Sequence, residues 1–366
     1  MPTPEMQHKK ILNRRNRLII VGNGFDLAHK IETSFKNFIT SYVTSCVKEF
    51  LKESYFKDDL IEIGKPNPIY KIHYSGEITS NDINQVIDRI FSAKREPGHE
   101  YKVSSFLRHI YVNAINKGWV DIEYEYFSLL KKAKKFSSSN VIALNKDFDL
   151  IKSKLIEYLK KKEGEFTNSF DIQPLVDSFC EDIYGEEDGS DQIPGELFFL
   201  NFNYTNTLEP YVRVCNSSIP STITYIHGSL EMDKHGEPIF GYGDELDSEY
   251  SLFEELNENE LYKHIKSFEY VSQNNYQNLL GFLESGPFEV YVFGHSCGVS
   301  DRTMLNEIFE HQDCRYIKIF YHKKLDGSTD FKEKTYNIYR HFKDKGTFRK
   351  RLIPKGKPMP QPRYAD

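Results

Sequence analysis

The stretch Arg17-Leu-Ile-Ile-Val-Gly-Asn-Gly-Phe-Asp-Leu-Ala28 constrains the fold more than any other part of the 366-residue chain. Leu18 to Val21 is an apolar run of strand length. Gly22 and Gly24 let the backbone turn sharply, and the residues beyond rise into an amphipathic segment. Strand, Gly-x-Gly turn and helix, in that order, are how an α/β sheet presents backbone N–H groups to a phosphate. Gly22, Asn23, Gly24 and Asp26 are therefore candidate nucleotide contacts. The pattern is not the full G-x-G-x-x-G, because Leu27 holds the third glycine position and Ala28 follows it. Asp26 would repel a phosphate, so it is expected to meet sugar, a base or a metal.

Further along, Phe35, Phe38, Ile39, Tyr42, Val43, Cys46, Phe50 and Leu51 recur at helical spacing and predict a long helix with one buried stripe. Gly64 to Pro68 and Glu96 to His99 read as breaks, with a short helix around Ile83 to Ile90 between them. Another helix is expected over Val103 to Ala114, capped by Gly118, followed by an extended Trp119 to Tyr126 and a helix over Phe127 to Lys135. Ser137 to Asn140 reads as a turn or cap before helical spacing resumes over Phe148 to Leu159. Residues 30–190 are thus expected to form a mainly helical insertion.

Apolar runs return in Glu196–Asn203, Thr222–His227, Phe288–Gly294 and Tyr316–Tyr321. Runs of that kind indicate strands covered on both faces, as in a parallel sheet. The expected fold class is α/β, a Rossmann-like, mainly parallel sheet flanked by helices, with the large helical insertion after the first strand. Residues 17–349 would form this single domain, with 1–16 as a flexible lead-in and 350–366 as a basic tail holding four prolines.

Composition narrows the setting. No stretch approaches the roughly 18 apolar residues of a membrane span, and the polar start has no secretory signal. The net charge of -6 gives no global attraction for nucleic acid. Cys46, Cys180, Cys215, Cys297 and Cys314 are scattered without a C-x-x-C, which points to a reducing cytosol and to neither zinc nor disulfides.

Polar motifs gather just past the apolar runs: Gly22-Asn-Gly-Phe-Asp26, Asn201-Phe-Asn-Tyr-Thr205, Ile226-His-Gly228 and Gly294-His-Ser-Cys-Gly-Val-Ser-Asp301. With Trp119-Val-Asp-Ile-Glu123 and Phe240-Gly-Tyr-Gly-Asp244, they make the chain resemble, over most of its length, the AbiH family of bacterial phage abortive-infection proteins. The motif order also resembles the sirtuin-like NAD-binding fold, which occurs in phage-defence NAD hydrolases. That resemblance implies roles for several residues. Asn203 would orient water or ribose, and His227 would be a base or ribose contact. Tyr204, Gly294, Ser296 and Asp301 would join the glycine turn around NAD or a related nucleotide. Asp301 would also cap the helix bearing Met304, Leu305, Ile308 and Phe309. Cleaving an N-glycosidic bond passes through a cationic sugar, for which an amide and a near-neutral base are suitable groups. Two positions depart from the sirtuin-like pattern: Asp26 replaces a small or hydroxyl residue, and Thr205 replaces an aspartate.

Plainer roles stand beside these. Asn203 could cap a turn, His227 could be a core histidine, and Asp121 with Glu123 could be a solvated pair. If instead those two carboxylates share one face of an extended segment, they could hold a divalent metal. Gly243 and Asp244 would belong to a glycine-hinged loop over the site, or to an acidic surface loop. A rival reading takes Gly294-His-Ser-Cys-Gly298 as a nucleophile elbow with Ser296 as nucleophile and His311, His322 or His341 as partner. A third class is a non-enzymatic nucleotide sensor. The partners expected are the nucleotide and no membrane, with a phage component, a co-encoded protein or a second copy of the chain left open.

Overall fold

A computed structural model describes residues 15–65, 77–92, 101–117, 121–133, 138–166, 173–184, 194–256, 258–324 and 326–355. The strands in chain order are β1 (Asn16–Val21), β2 (Tyr55–Lys57), β3 (Ile61–Gly64), β4 (Tyr101–Val103), β5 (Leu197–Asn201), β6 (Ser221–Tyr225), β7 (Phe288–Phe293) and β8 (Cys314–Phe320). The chain divides into two compact units. One comprises Met1–Glu32, Leu159–Leu252 and Ile265–Asp366, and the other Thr33–Tyr158 and Phe253–His264.

The first unit holds a five-stranded sheet in the order β6-β5-β1-β7-β8, with every pair parallel. This is the expected α/β class with a Rossmann-like strand order. Strand β1 lies in the middle, and Leu18, Ile19, Ile20 and Val21 are fully buried. The period of two along the strand sends Leu18 and Ile20 into a cluster with Phe198, Leu200, Val290 and Val292. Ile19 and Val21 face the other way, against Phe179, Phe199, Tyr211, Tyr291 and Phe293. Burial on both faces explains why each run reads as continuously apolar. At the strand starts Arg17 is buried, pairs with Glu289 at 3.3 Å and stacks over Tyr291.

Chain order runs from β1 outward through β5 to β6, then reverses to β7 and β8. The reversal falls between β1 and β7, and ligands of open α/β sheets bind outside the carboxyl ends of the strands at such a point.

The second unit is mainly helical, built from Phe35–Glu53, Ser80–Phe91, Ser105–Lys117, Ile122–Ala133 and most of Ser138–Phe166. It also contains an antiparallel sheet in the order β2-β3-β4, which the mixed pattern of residues 57–100 did not reveal. Three-residue strands such as Tyr55–Lys57 are too short to show a period. The core of this unit stacks Tyr126 on Phe148 and Phe148 on His264, with the Tyr126 hydroxyl donating to Asn145.

Three local expectations are corrected. The extended reading of 119–126 gives way to a helix from Ile122, and its Asp121 side chain accepts from the Tyr124 N–H at 3.0 Å as a cap. Of the turn or cap expected over Ser137 to Asn140, the turn is replaced: Ser138 to Asn140 are the first residues of the helix Ser138–Phe166. Lys350 and Arg351 end the helix Lys345–Arg351 instead of opening a tail. Gly118, residues 96–99 and residues 356–366 lie outside the described residues. All five cysteines are reduced and buried, and among the described residues no helix is long and apolar enough to cross a membrane.

Because Ile20 fills the two-sided core, Ile20→Ala should cost about 2–5 kcal/mol of unfolding free energy. A urea titration of both proteins would show this as a lower midpoint with an unchanged slope.

Candidate functional site

At the carboxyl end of β1 the chain turns through Gly22 and Gly24 into the helix Asn23–Ala28. Both glycine N–H groups are engaged by the neighbouring strand: Gly22 donates to the Phe293 carbonyl at 3.0 Å and Gly24 to Gly294 at 2.9 Å. A Cβ at Gly22 would lie 2.6 Å from the His295 ring, and one at Gly24 would lie 2.7 Å from the Gly294 oxygen. Glycine is required here because the β7 loop packs against the turn. A phosphate could use these two donors only by displacing the bonds to β7.

Asp26 is also accounted for within the fold. Its buried carboxylate accepts from the Asn203 amide at 3.1 Å and from the Thr205 hydroxyl at 2.8 Å, and Asn203 donates as well to the Gly22 carbonyl at 3.2 Å. These bonds tie the end of β5 to the end of β1. Nearby, the Tyr204 hydroxyl donates to the Ile239 carbonyl at 2.7 Å.

The second cluster is built around Asp301, which is 6% exposed. Its Oδ1 lies 2.7 Å from Lys266 Nζ and 3.1 Å from His227 Nε2, and its Oδ2 lies 3.8 Å from His295 Nε2. The Tyr270 hydroxyl is 3.1 Å from the same His227 nitrogen. The Phe202 ring packs between the two imidazoles, at 5.2 Å from His227 and 4.1 Å from His295. Asp301 does stand at the N-cap position of Arg302–Glu310, yet its side chain makes no capping bond. The carboxylate turns to Lys266 and His227 instead.

The protonation states follow from these contacts. Burial alone would raise the Asp301 carboxyl, but the Lys266 ammonium and His227 beside it hold it well below the usual carboxylate range. His227 is lowered by burial and by Lys266, against the pull of Asp301. His295 is lowered by burial to about 3. Cys297 N–H donates to His295 Nδ1 at 3.0 Å, so the His295 proton is on Nε2, facing Asp301. At His227 the Asp301 carboxylate and the Tyr270 hydroxyl both lie on Nε2.

The remaining candidates fall elsewhere. Gly243 and Asp244 form no surface loop: Gly243 donates to the Ser300 carbonyl, and the buried Asp244 meets Arg302 at 3.4 Å. Asp121 and Glu123 belong to the other unit. Asp121 precedes the helix that carries Glu123, so the two do not share a face of an extended segment. Ser296 is exposed, and among the described residues its hydroxyl makes no bond to a histidine. His341 instead reaches the Cys297 carbonyl at 2.8 Å, His311 lies beside Glu284, and His322 is exposed. Glu209, Glu231 and His235 bring possible ligand atoms within 4.8 Å of one another, with Lys234 already on Glu231 at 2.5 Å.

Lys266, Tyr270 and His295 escaped the sequence reading. Lys266 is one of 48 Lys and Arg residues and sits in no motif. The backbone bond from its N–H to the Tyr242 carbonyl, far off in the chain, brings it here. His295 had a signal, as the second residue of Gly294-His-Ser-Cys-Gly298.

Fold and site together define a Rossmann-like α/β protein with a buried acid–base cluster at the carboxyl ends of its parallel strands. A family model described as Bacteriophage abortive infection AbiH matches residues 18–323 of the 366. The chain belongs to the AbiH family. No curated protein matches it.

Buried histidines make stability fall with acid. Burial lowers His29 and His341 to about 4 and His295 to about 3, while the unfolded chain takes up these protons near 6.5. The unfolded state therefore binds more protons between those limits. Their neutral forms cost nothing above pH 6.5, and stability drops as the pH falls through this window. At pH 5 each histidine should remove roughly 1–2 kcal/mol. Urea midpoints between pH 7.5 and 5 should decline in the wild type and decline less in His295→Gln.

Proposed function

We propose that this protein acts in abortive infection against bacteriophage by binding a nucleotide such as NAD at the carboxyl ends of β1, β5, β6 and β7. There it hydrolyses the N-glycosidic bond. The contact between Asp301 and His227 carries this reading. A carboxylate that holds the imidazole proton on Nε2 leaves Nδ1 as a base, and lowering of the imidazole keeps it unprotonated at neutral pH.

In the step proposed, a water oxygen adds to ribose C1′ as the C1′–nitrogen bond breaks. The bonding pair leaves on the nicotinamide nitrogen, and the water proton passes to His227 Nδ1. The products are nicotinamide and ADP-ribose. The positive charge that develops on the sugar favours a site of low dielectric near a carboxylate. With the glycine turn committed to β7, recognition falls to the sugar and base more than to the diphosphate. Asn203 and Asp26, already joined to each other, contribute by holding the strand ends in register.

Incubating the full chain with NAD and related nucleotides, with mass spectrometry of the products, tests the proposal. Nicotinamide should accumulate, and His227→Gln should slow its release by about 100-fold or more while nucleotide binding persists. Turnover should be flat above pH 6.5 and fall on acidification, because the lowered His227 protonates only below its ordinary value. Tight binding of a nucleotide without turnover would favour a sensor. Neither binding nor turnover would remove the nucleotide from the account.

A further inference from the structure

We propose that Lys266 is a positioning residue: its ammonium fixes Asp301 as the anion that holds the His227 proton on Nε2 and leaves Nδ1 as the basic nitrogen. The inference builds on the reading of His227 as a base but concerns a property of the free protein.

Lys266 is fully buried, and its ammonium has two oxygen neighbours in the cluster, Asp301 Oδ1 at 2.7 Å and the Ser300 carbonyl at 3.5 Å. The oxygen it holds is the one that faces His227. A buried carboxylate without a cation takes up a proton or draws one onto its neighbour. The other groups around Asp301 cannot replace Lys266. His295 offers a neutral N–H at 3.8 Å, Tyr270 lies on His227 rather than on Asp301, and Arg302 is turned to Asp244. His341 is bound to the Cys297 carbonyl, the Cys297 thiol is pushed up to about 12 by burial, and Lys334 is held by Asp330 at 3.2 Å.

The backbone is arranged to deliver this lysine. Ile265 bridges to Tyr242, and the Lys266 N–H donates to the Tyr242 carbonyl at 3.0 Å. A Cβ on Gly243 would meet the Ser300 oxygen at 3.1 Å and the Lys266 stem at 3.5 Å. Gly243 thereby gives the lysine stem its passage to Asp301.

The test is long-range proton–nitrogen correlation on the full chain with nitrogen-15 histidine, the His227 signals being identified by their loss in His227→Gln. In the wild type at pH 7, His227 should be neutral with its proton on Nε2. Lys266→Met should leave Asp301 to draw a proton onto His227, raising its titration midpoint by about one pH unit or more. Lys266→Arg should restore the wild-type pattern. A wild-type spectrum with the proton on Nδ1 would overturn the proposal, and needs no variant to fold. An unchanged tautomer and midpoint in folded Lys266→Met would overturn it as well. No nucleotide enters the measurement, so a chain that ignores NAD yet shows the stated spectra would sink the catalytic reading and leave this one standing.

Discussion

A carboxylate taken out of water needs a cation or hydrogen-bond donors to keep its charge, and the carboxyl end of this sheet is arranged around that constraint at Asp301. Lys266 supplies the cation, His227 and His295 face the carboxylate with ring nitrogens, and Phe202 packs against both imidazoles. Buried ion pairs seldom add net stability, because desolvation offsets the attraction. Their value lies in fixing one arrangement of protons. In the arrangement proposed, one imidazole nitrogen is the donor and the other the base.

The sheet makes such a cluster possible. Strand β1 is paired on both sides and buried on both faces, so the turns at its end and at the end of β7 are held against each other by backbone bonds. Asn203 and Asp26 add a link from β5. Asn203 thus meets Gly22, and His227 meets Asp301, without any sequence proximity, each delivered by the end of a different strand or by the loop beyond it.

Much of this was legible in the sequence. The apolar runs marked the parallel strands because burial on both faces leaves few polar positions, and their polar ends marked Asn203, His227 and Asp301. The two departures from the sirtuin-like pattern, Asp26 and Thr205, turn out to be the two ends of a single 2.8 Å hydrogen bond. What stayed hidden depends on contacts far apart in the chain. Whether a glycine N–H faces a ligand or a neighbouring carbonyl is decided by β7, more than 260 residues from the turn by the numbering of Gly24 and Gly294. Lys266 has no local pattern at all. The motif around Ser296 had the right letters, but its polypeptide runs on through Cys297 in a left-handed conformation, φ 51°, before the helix begins.

The cysteines lend themselves to a different use. Cys46, Cys180, Cys215, Cys297 and Cys314 are all buried, and the sulfurs of Cys180 and Cys215 lie 3.5 Å apart between two helices of the sheet-bearing unit. Burial pushes the Cys46, Cys297 and Cys314 thiols up to about 12, so little thiolate exists at neutral pH. At these three positions a maleimide added to the native chain would meet almost no nucleophile. Alkylation there would then keep time with opening of the core, giving each unit its own clock: Cys46 for the helical one, Cys297 and Cys314 for the sheet.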